Sequence, residues 1–291
     1  MKVSAKKYKV TDGKGFKLED MPTSEKIDKK EKDEYLEVMQ KNQEKMAALQ
    51  DRLYADGSEG LVIVLQAMDA AGKDGTIKHV MSGVNPQGVD VHSFKQPSKA
   101  DLAHGFLWRV EECIPERGKI GLFNRSWYED CLVTKVREMN KTYHMPKRCT
   151  GKSTKEFYED RYEDIANYEK YLYRAGYRIV KIFLHVSKEE QKERFLERID
   201  RPEKNWKFSS SDVAERKLWD EYQKAYEDAI RKTAAPHAPW YVLPADQKWF
   251  TRCLVSEILV DVLEDIDPQY PTVSEEAKAQ LATSREELMN E

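Results

Sequence analysis

Between Ala67 and Gly75 the chain reads AMDAAGKDG, and these residue types at this spacing suggest anion chemistry. A glycine-rich turn can aim successive backbone N–H groups at phosphate oxygens, the following helix adds partial positive charge, and a lysine reaches the outer phosphates. The stretch follows G-x-x-x-x-G-K-[ST] with two departures. Ala67 stands at the first glycine, and after Gly72 and Lys73 comes Asp74 in place of Ser or Thr. The missing hydroxyl ordinarily binds Mg2+, so another group has to hold a metal. Candidates are Asp69 within the loop, Asp74, and the neighbours Glu129 and Asp130. A carboxylate inside an anion-binding turn opposes the local field unless a cation or a catalytic task retains it, which favours Asp69. Asp74 reads equally well as a first-turn carboxylate that complements the helix dipole.

The elements that would position these residues are legible in the pattern. LVIVLQAM, from Leu61, is a short β-branched run suited to a strand buried on both faces of a parallel sheet. Further strands are expected at VDVHSF near Val89, GKIGLF ending at Phe123, Tyr177 to Val186, and WYVLPA from Trp240. Helical spacing is expected over Lys73 to Met81, Ser98 to Cys113, Lys155 to Ala175, Lys188 to Asp200, Asp212 to Lys232 and Lys248 to Glu264. Ser98 with Asp101 and Ser187 with Glu190 have capping-box spacing. Five strands separated by helices predict a parallel, doubly wound α/β sheet with helices on both faces. An amphipathic helical arm from Ser24 to Tyr54 precedes it, with Tyr35, Leu36, Met39, Met46, Leu49 and Leu53 as its apolar stripe. The boundaries expected are an N-terminal helical extension over 1–55, a catalytic domain over 56–268 and a low-order tail over 269–291.

Composition limits the function classes. With 49 Lys plus Arg against 52 Asp plus Glu in 291 residues, the net charge of −3 gives no global attraction to nucleic acid or membrane. The four cysteines form no C-x-x-C pair, and the six histidines show no metal-ligand spacing. No apolar run approaches the roughly 20 residues of a membrane span. A soluble cytoplasmic protein is expected.

The third strand ends in GLFNRSWYEDCLV, Gly121 to Val133, and this together with AMDAAGKDGTIK and ERFLERIDRPEKNWKFSSSD resembles the polyphosphate kinase 2 family. The resemblance runs from about Lys30 to Pro268. It implies a three-layer α/β/α P-loop kinase fold with a five-stranded parallel sheet, a helical lid over about 195–232, and Mg2+ as cofactor with Mn2+ as substitute. The implied reaction moves the terminal phosphate of inorganic polyphosphate to AMP and ADP, with guanine nucleotides as further acceptors. By carry-over, Asp69 would bind Mg2+ or help deprotonate the acceptor, Lys73 would contact the transferring phosphate and Arg125 would clamp it. Ala70, Ala71, Gly72, Asp74, Gly75, Thr76, Asn124 and Glu129 would line the phosphate and nucleotide site. Asn124 stands where some members carry Asp, which shifts a second metal contact to Asp130. Members that act only on ADP often read F-D-R-S-W-Y-N-R, so FNRSWYED resembles the subgroup that uses both AMP and ADP. A homo-oligomer, tetramer or dimer, is also implied.

On the segment Lys192 to Lys207, helical spacing would put Arg194, Arg198 and Arg201 on one side, with Lys204 and Lys207 beyond. The residues alone suit a solvated ion-pair helix; the resemblance makes the segment a lid gripping a polyanion, hinged near Pro202. Two other functions fit parts of the sequence. An ATP-dependent nucleoside monophosphate kinase shares the fold but not Ala67 and Asp74, and a non-catalytic phosphate-loop regulator would not need Asp69, Lys73 and Arg125 together.

Overall fold

The computed structural model describes residues 3–291. The strands are β1 (Lys9–Val10), β2 (Gly60–Ala67), β3 (Val89–Ser93), β4 (Ile120–Asn124), β5 (Tyr177–His185) and β6 (Trp240–Pro244). The helices are α1 (Lys32–Asp56), α2 (Lys73–Val80), α3 (Lys99–Ala103), α4 (Trp108–Glu111), α5 (Val133–Val136), α6 (Lys147–Thr150), α7 (Thr154–Arg174), α8 (Lys188–Asp200), α9 (Ser210–Arg216), α10 (Trp219–Thr233), α11 (Lys248–Ile266) and α12 (Glu275–Met289).

All eight residues of β2 are buried, as a β-branched strand at the centre of a sheet should be. Each buried Val, Leu or Ile there contributes roughly 1.5–3 kcal/mol. The sheet runs β1-β6-β5-β2-β4-β3, so β2 and β5 occupy the middle. Five strands are parallel, as expected, and a sixth is added: β1 pairs antiparallel with β6 through Lys9 opposite Tyr241 and Val10 opposite Trp240. A two-residue edge strand carries no periodicity, which is why the sequence pattern omits it. α1 lies against α11 with Met46, Leu49 and Leu53 buried, and α11 also meets α2, making one helical layer. α7 and α10 meet each other and form the opposite layer, with α7 also against β5.

Several expected boundaries move. The helical arm expected from Ser24 begins at Lys32. The expected helix from Ser98 to Cys113 is two short ones, α3 and α4, separated around Gly105. The stretch expected as one helix from Asp212 is broken at Lys217 and Leu218. Beyond the break, α10 buries Tyr222, Ala225, Tyr226, Ala229 and Ile230 and so belongs to the body, which shortens the lid from its expected end at 232. The tail expected to be low in order forms α12, capped by Ser274 and burying no residue; its Glu, Ala, Lys, Gln and Leu content supplies helix propensity. No helix among the described residues is long and apolar enough to cross a membrane.

Candidate active site

Parallel register brings the chemistry to one end of the sheet. Leu65 of β2 lies opposite Asn124 of β4, and Arg125 N donates to Leu65 O at 3.0 Å. The loop after Ala67 and the turn after Asn124 therefore meet at the carboxyl ends of the central strands, where ligands bind in open α/β sheets. Gly72 has φ +110° and opens α2, a conformation that suits glycine. Ala70 at φ +60° and Arg125 at φ +67° adopt left-handed backbone without that freedom, each a local strain of the kind retained at functional sites.

Lys73 is 9% exposed, and its Nζ donates to Ala67 O at 2.8 Å and Met68 O at 3.4 Å. It has no carboxylate partner at ion-pair distance among the described residues; burial, and then the Arg125 guanidinium, hold its pKa below the ordinary lysine value. Arg125 Nη2 donates to Asp69 Oδ1 at 2.9 Å, and its Nη1 lies 3.7 Å from Glu129 Oε2. Burial raises the Glu129 pKa against the opposing pull of Arg125 and Lys73. One departure from the usual loop pattern is bound by the end of β4: Asn124 Nδ2 donates to Asp74 Oδ1 at 2.9 Å. Lys207, from the turn Pro202–Lys207 that follows α8, reaches within 3.5 Å of Asp74 Oδ2. Thr76 is buried one turn into α2, with its N–H donating to Gly72 O at 2.9 Å, and Gly75 lies against Arg252.

The expected set thus assembles around Asp69, Lys73, Arg125, Glu129 and Asp74, with two corrections. Asp130 does not join it. In the 3-10 turn Trp127–Cys131 successive side chains point about 120° apart, so Glu129 and Asp130 face different surroundings. The charged neighbours of Asp130 are Arg161, Arg109 and Glu129, and burial pushes its pKa up to about 6. The carboxylate beside Asp69 is Glu129 instead. Arg194, expected as a lid residue gripping polyanion, is 4% exposed and fully employed. Its Nη1 donates to Ala70 O and Ala71 O at 3.1 and 2.6 Å, its Nη2 to Ala245 O and Asp246 O at 2.6 and 3.1 Å, and its Nε to Glu190. It pins the underside of the loop to the segment after β6. The remaining cations stay on the lid: Arg198 pairs with Asp212 at 3.4 Å, while Arg201 and Lys204 share Glu197 at 3.4 and 2.7 Å.

Arg194→Met should therefore act as a fold variant, leaving four carbonyls without their donor. We expect a loss of about 3 kcal/mol, or roughly 5–10 °C in melting temperature, by calorimetry. Arg201→Met, on an exposed side chain, should leave the melting temperature unchanged.

Several supporting residues carried no recognised signal. Gln66 is fully buried beside Ser126 and, with its amide turned to suit them, donates to Glu129 Oε1 at 3.0 Å. A lone polar residue inside LVIVLQAM could have flagged it. Gln191 Nε2 holds Asp69 O at 2.9 Å from a helix that reads as solvated. Beneath the turn, Lys181 and Glu169 are 0% and 1% exposed and bond each other at 2.6 Å. Glu169 Oε1 also accepts from Trp127 Nε1 at 3.2 Å and from the Tyr128 hydroxyl at 2.7 Å. Those aromatics are therefore structural, and they fix the turn between Arg125 and Glu129.

Mg2+ is tested by the donor set. Among the described residues no group of three or more His, Cys, Asp or Glu could hold a metal by itself. Mg2+ usually takes only one or two carboxylates and completes its octahedron with phosphate and water. Asp69, 32% exposed at the loop mouth, and Asp74, held by Asn124 and Lys207, fit that mode and not an all-protein cage.

A second polar cluster lies next to the Glu129 turn. Arg161 stacks on the Phe106 ring with its guanidinium carbon 3.9 Å from the centroid and its Nε buried without a partner, and Arg109 lies over Phe94 at 5.5 Å. Asp130 faces both arginines. Its raised pKa implies a stability contribution that is present below the ordinary aspartate value, near 4, and lost as pH rises through about 6. Asp130→Asn should therefore raise stability at pH 8 by about 3 kcal/mol and change it little at pH 4, measured by denaturant unfolding at both pH values.

Comparison with known proteins places this geometry. The sequence model of polyphosphate kinase 2 (PPK2) matches residues 29–271. A protein of Rhodopseudomonas palustris named ADP-polyphosphate phosphotransferase is 43% identical over 99% of this chain and 100% of its own. One of Meiothermus ruber named AMP/ADP-polyphosphate phosphotransferase is 44% identical over 91% of this chain and 95% of its own. The crystal structure of polyphosphate kinase 2 from Arthrobacter aurescens TC1 superposes with a TM-score of 0.85 at 35% identity, covering 95% of each chain.

Proposed function

Since the chain belongs to the polyphosphate kinase 2 family, we propose that it moves the terminal phosphate of inorganic polyphosphate to AMP and to ADP, reversibly and with Mg2+. The observation that carries the reading is the bond between Asp74 and Asn124. In ordinary P-loop enzymes a Ser or Thr on the helix and an Asp on a strand hold the metal together. Here the carboxylate sits on the helix and the amide at the strand end, which supports a metal position rebuilt around Asp74. A loop altered at Ala67 and Asp74 suits a donor other than ATP in its usual pose.

The chemistry asked of the residues is modest. An oxygen of the acceptor's terminal phosphate attacks the end phosphorus of the chain, one P–O bond forms, the anhydride P–O bond breaks, and the shortened polyphosphate leaves with the electron pair. Asp69 and Asp74 would hold Mg2+, with Mn2+ as substitute, and the ion would neutralise charge on the non-bridging oxygens. Lys73 turns its ammonium from the two loop carbonyls to the transferring phosphate. Arg125 leaves Asp69 to clamp the same group, and the backbone N–H groups from Ala70 to Gly75 cradle it. Lys207, Lys204, Arg201 and Arg198 bring the lid over the polyanion and exclude water.

The acceptor's base is proposed to lie against the cluster of Phe106, Arg161, Arg109 and Asp130, where the Asp130 carboxylate offers a hydrogen-bond acceptor. Asp130→Asn should then raise the nucleotide KM while stabilising the fold. Relatives at 43% and 44% identity carry different acceptors in their names, so overall similarity does not choose between them. The use of AMP as well as ADP rests on Glu129 and Asp130, of which Glu129 lies 3.7 Å from Arg125. Guanine nucleotides as acceptors, a homo-oligomeric state and a cytoplasmic location belong to the same reading. The test is chromatography of nucleotides after incubation with Mg2+ and long-chain polyphosphate, in separate tubes with AMP, ADP and GDP. ADP followed by ATP should appear from AMP; conversion of ADP alone would remove the AMP half of the proposal.

A further inference from the structure

Two cations beside the loop have no counter-ion among the described residues. Lys248 and Arg252 stand one turn apart at the start of α11, so their side chains share a face. Neither forms an ion pair among the described residues, and Arg252 Nε is buried without a hydrogen-bond partner. The acids nearby are committed: Glu190 to Arg194 at 2.8 Å, and Glu197 to Lys204 and Arg201 at 2.7 and 3.4 Å. Lys248 is exposed and Arg252 half-buried; desolvation and then Arg194 hold both below their ordinary pKa values. Arg252 also lies against the first turn of α2, with Nη2 3.1 Å from where a Cβ on Gly75 would stand. A side chain at Gly75 would push that guanidinium aside.

Like charges gathered at a partly buried surface are destabilising unless an anion joins them. The anion that suits this patch is extended. Its cations continue from the loop, past Gly75, towards Lys204 on the lid. A chain carrying a charge at every repeat meets them all; the neutral base of ATP would leave Lys248 and Arg252 unmatched.

We propose that Lys248 and Arg252 bind the polyphosphate chain upstream of the transferred phosphate, where it passes between the lid and the first turn of α2, and thereby set the preference for long chains. The proposal rests on polyphosphate being the donor. Both residues are positioned to bind and not to react, so their effect falls on affinity and its dependence on length.

The experiment compares initial rates of ATP formation from ADP with long-chain polyphosphate and with tripolyphosphate, for the wild type, Lys248→Met, Arg252→Met, the double variant and the charge-preserving Lys248→Arg. Thermal melting checks that each is folded, and the single variants carry the test if the double variant is not. The long-chain KM should rise about tenfold relative to the tripolyphosphate KM in the double variant, its salt dependence should weaken, and Lys248→Arg should keep the wild-type ratio. An unchanged ratio in folded variants would overturn the proposal. A wild type inactive with both donors would instead remove the donor reading, and this inference with it.

Discussion

Lys73→Ala lowers the rate of phosphoryl transfer by about 10³-fold or more and leaves the protein folded. In the resting site the ammonium is buried and bonded only to Ala67 O and Met68 O. Carbonyl oxygens stabilise it less than an anion would, so a phosphate arriving in the loop offers Lys73 a stronger partner than it leaves. The gain grows as charge spreads over the equatorial oxygens in the transition state, which is why the loss should appear in kcat more than in KM. Stability should fall little. The lost side chain is a desolvated cation whose depressed pKa already marks burial as unfavourable. Steady-state rates with saturating polyphosphate and ADP, beside a melting curve, check both halves. Full activity in a folded Lys73→Ala protein would defeat the site assignment.

Arg125→Gly is expected to be comparably severe in rate and mild in stability. The guanidinium bridges Asp69 and Glu129 at rest and stands where it can turn to the transferring phosphate. Arginines in that role are worth roughly 10³–10⁵ in rate. Its backbone is at φ +67°, which costs a non-glycine residue about 1–2 kcal/mol and glycine almost nothing. Glycine thus relieves strain while removing the clamp. A rate loss of at least about 10³-fold with a melting temperature within a few degrees of wild type is the expected pair of results. Arg125→Lys should recover only part of the rate, because a point charge cannot span two oxygens as the planar fork does.

The loop was legible because its chemistry is local. Gly72, Lys73 and the apolar run before them place a strand, a turn and a helix N-terminus within a few residues, and β2 and α2 lie there. The five parallel strands were legible for the same reason. Sequence gives the order of Glu129 and Asp130 but not the rotation of a 3-10 turn, and that rotation decides which one meets Arg125. Arg194 was misassigned because its spacing with Arg198 and Arg201 says that they share a helix side, not that the segment after β6 covers one of them. The Lys181 and Glu169 pair was invisible: lysine within YRIVKIFLHV gives no hint of a partner on α7.

Polyphosphate, and not ATP, is the donor to nucleotide acceptors at this loop. The most direct measurement is a donor comparison with GDP as acceptor and Mg2+ present, giving kcat/KM for GTP formation from polyphosphate and from ATP in parallel. The account predicts turnover with polyphosphate and at least a hundredfold advantage over ATP, about 2.7 kcal/mol of transition-state preference. Turnover that requires ATP and ignores polyphosphate would contradict it, and would leave a nucleotide kinase with an altered loop.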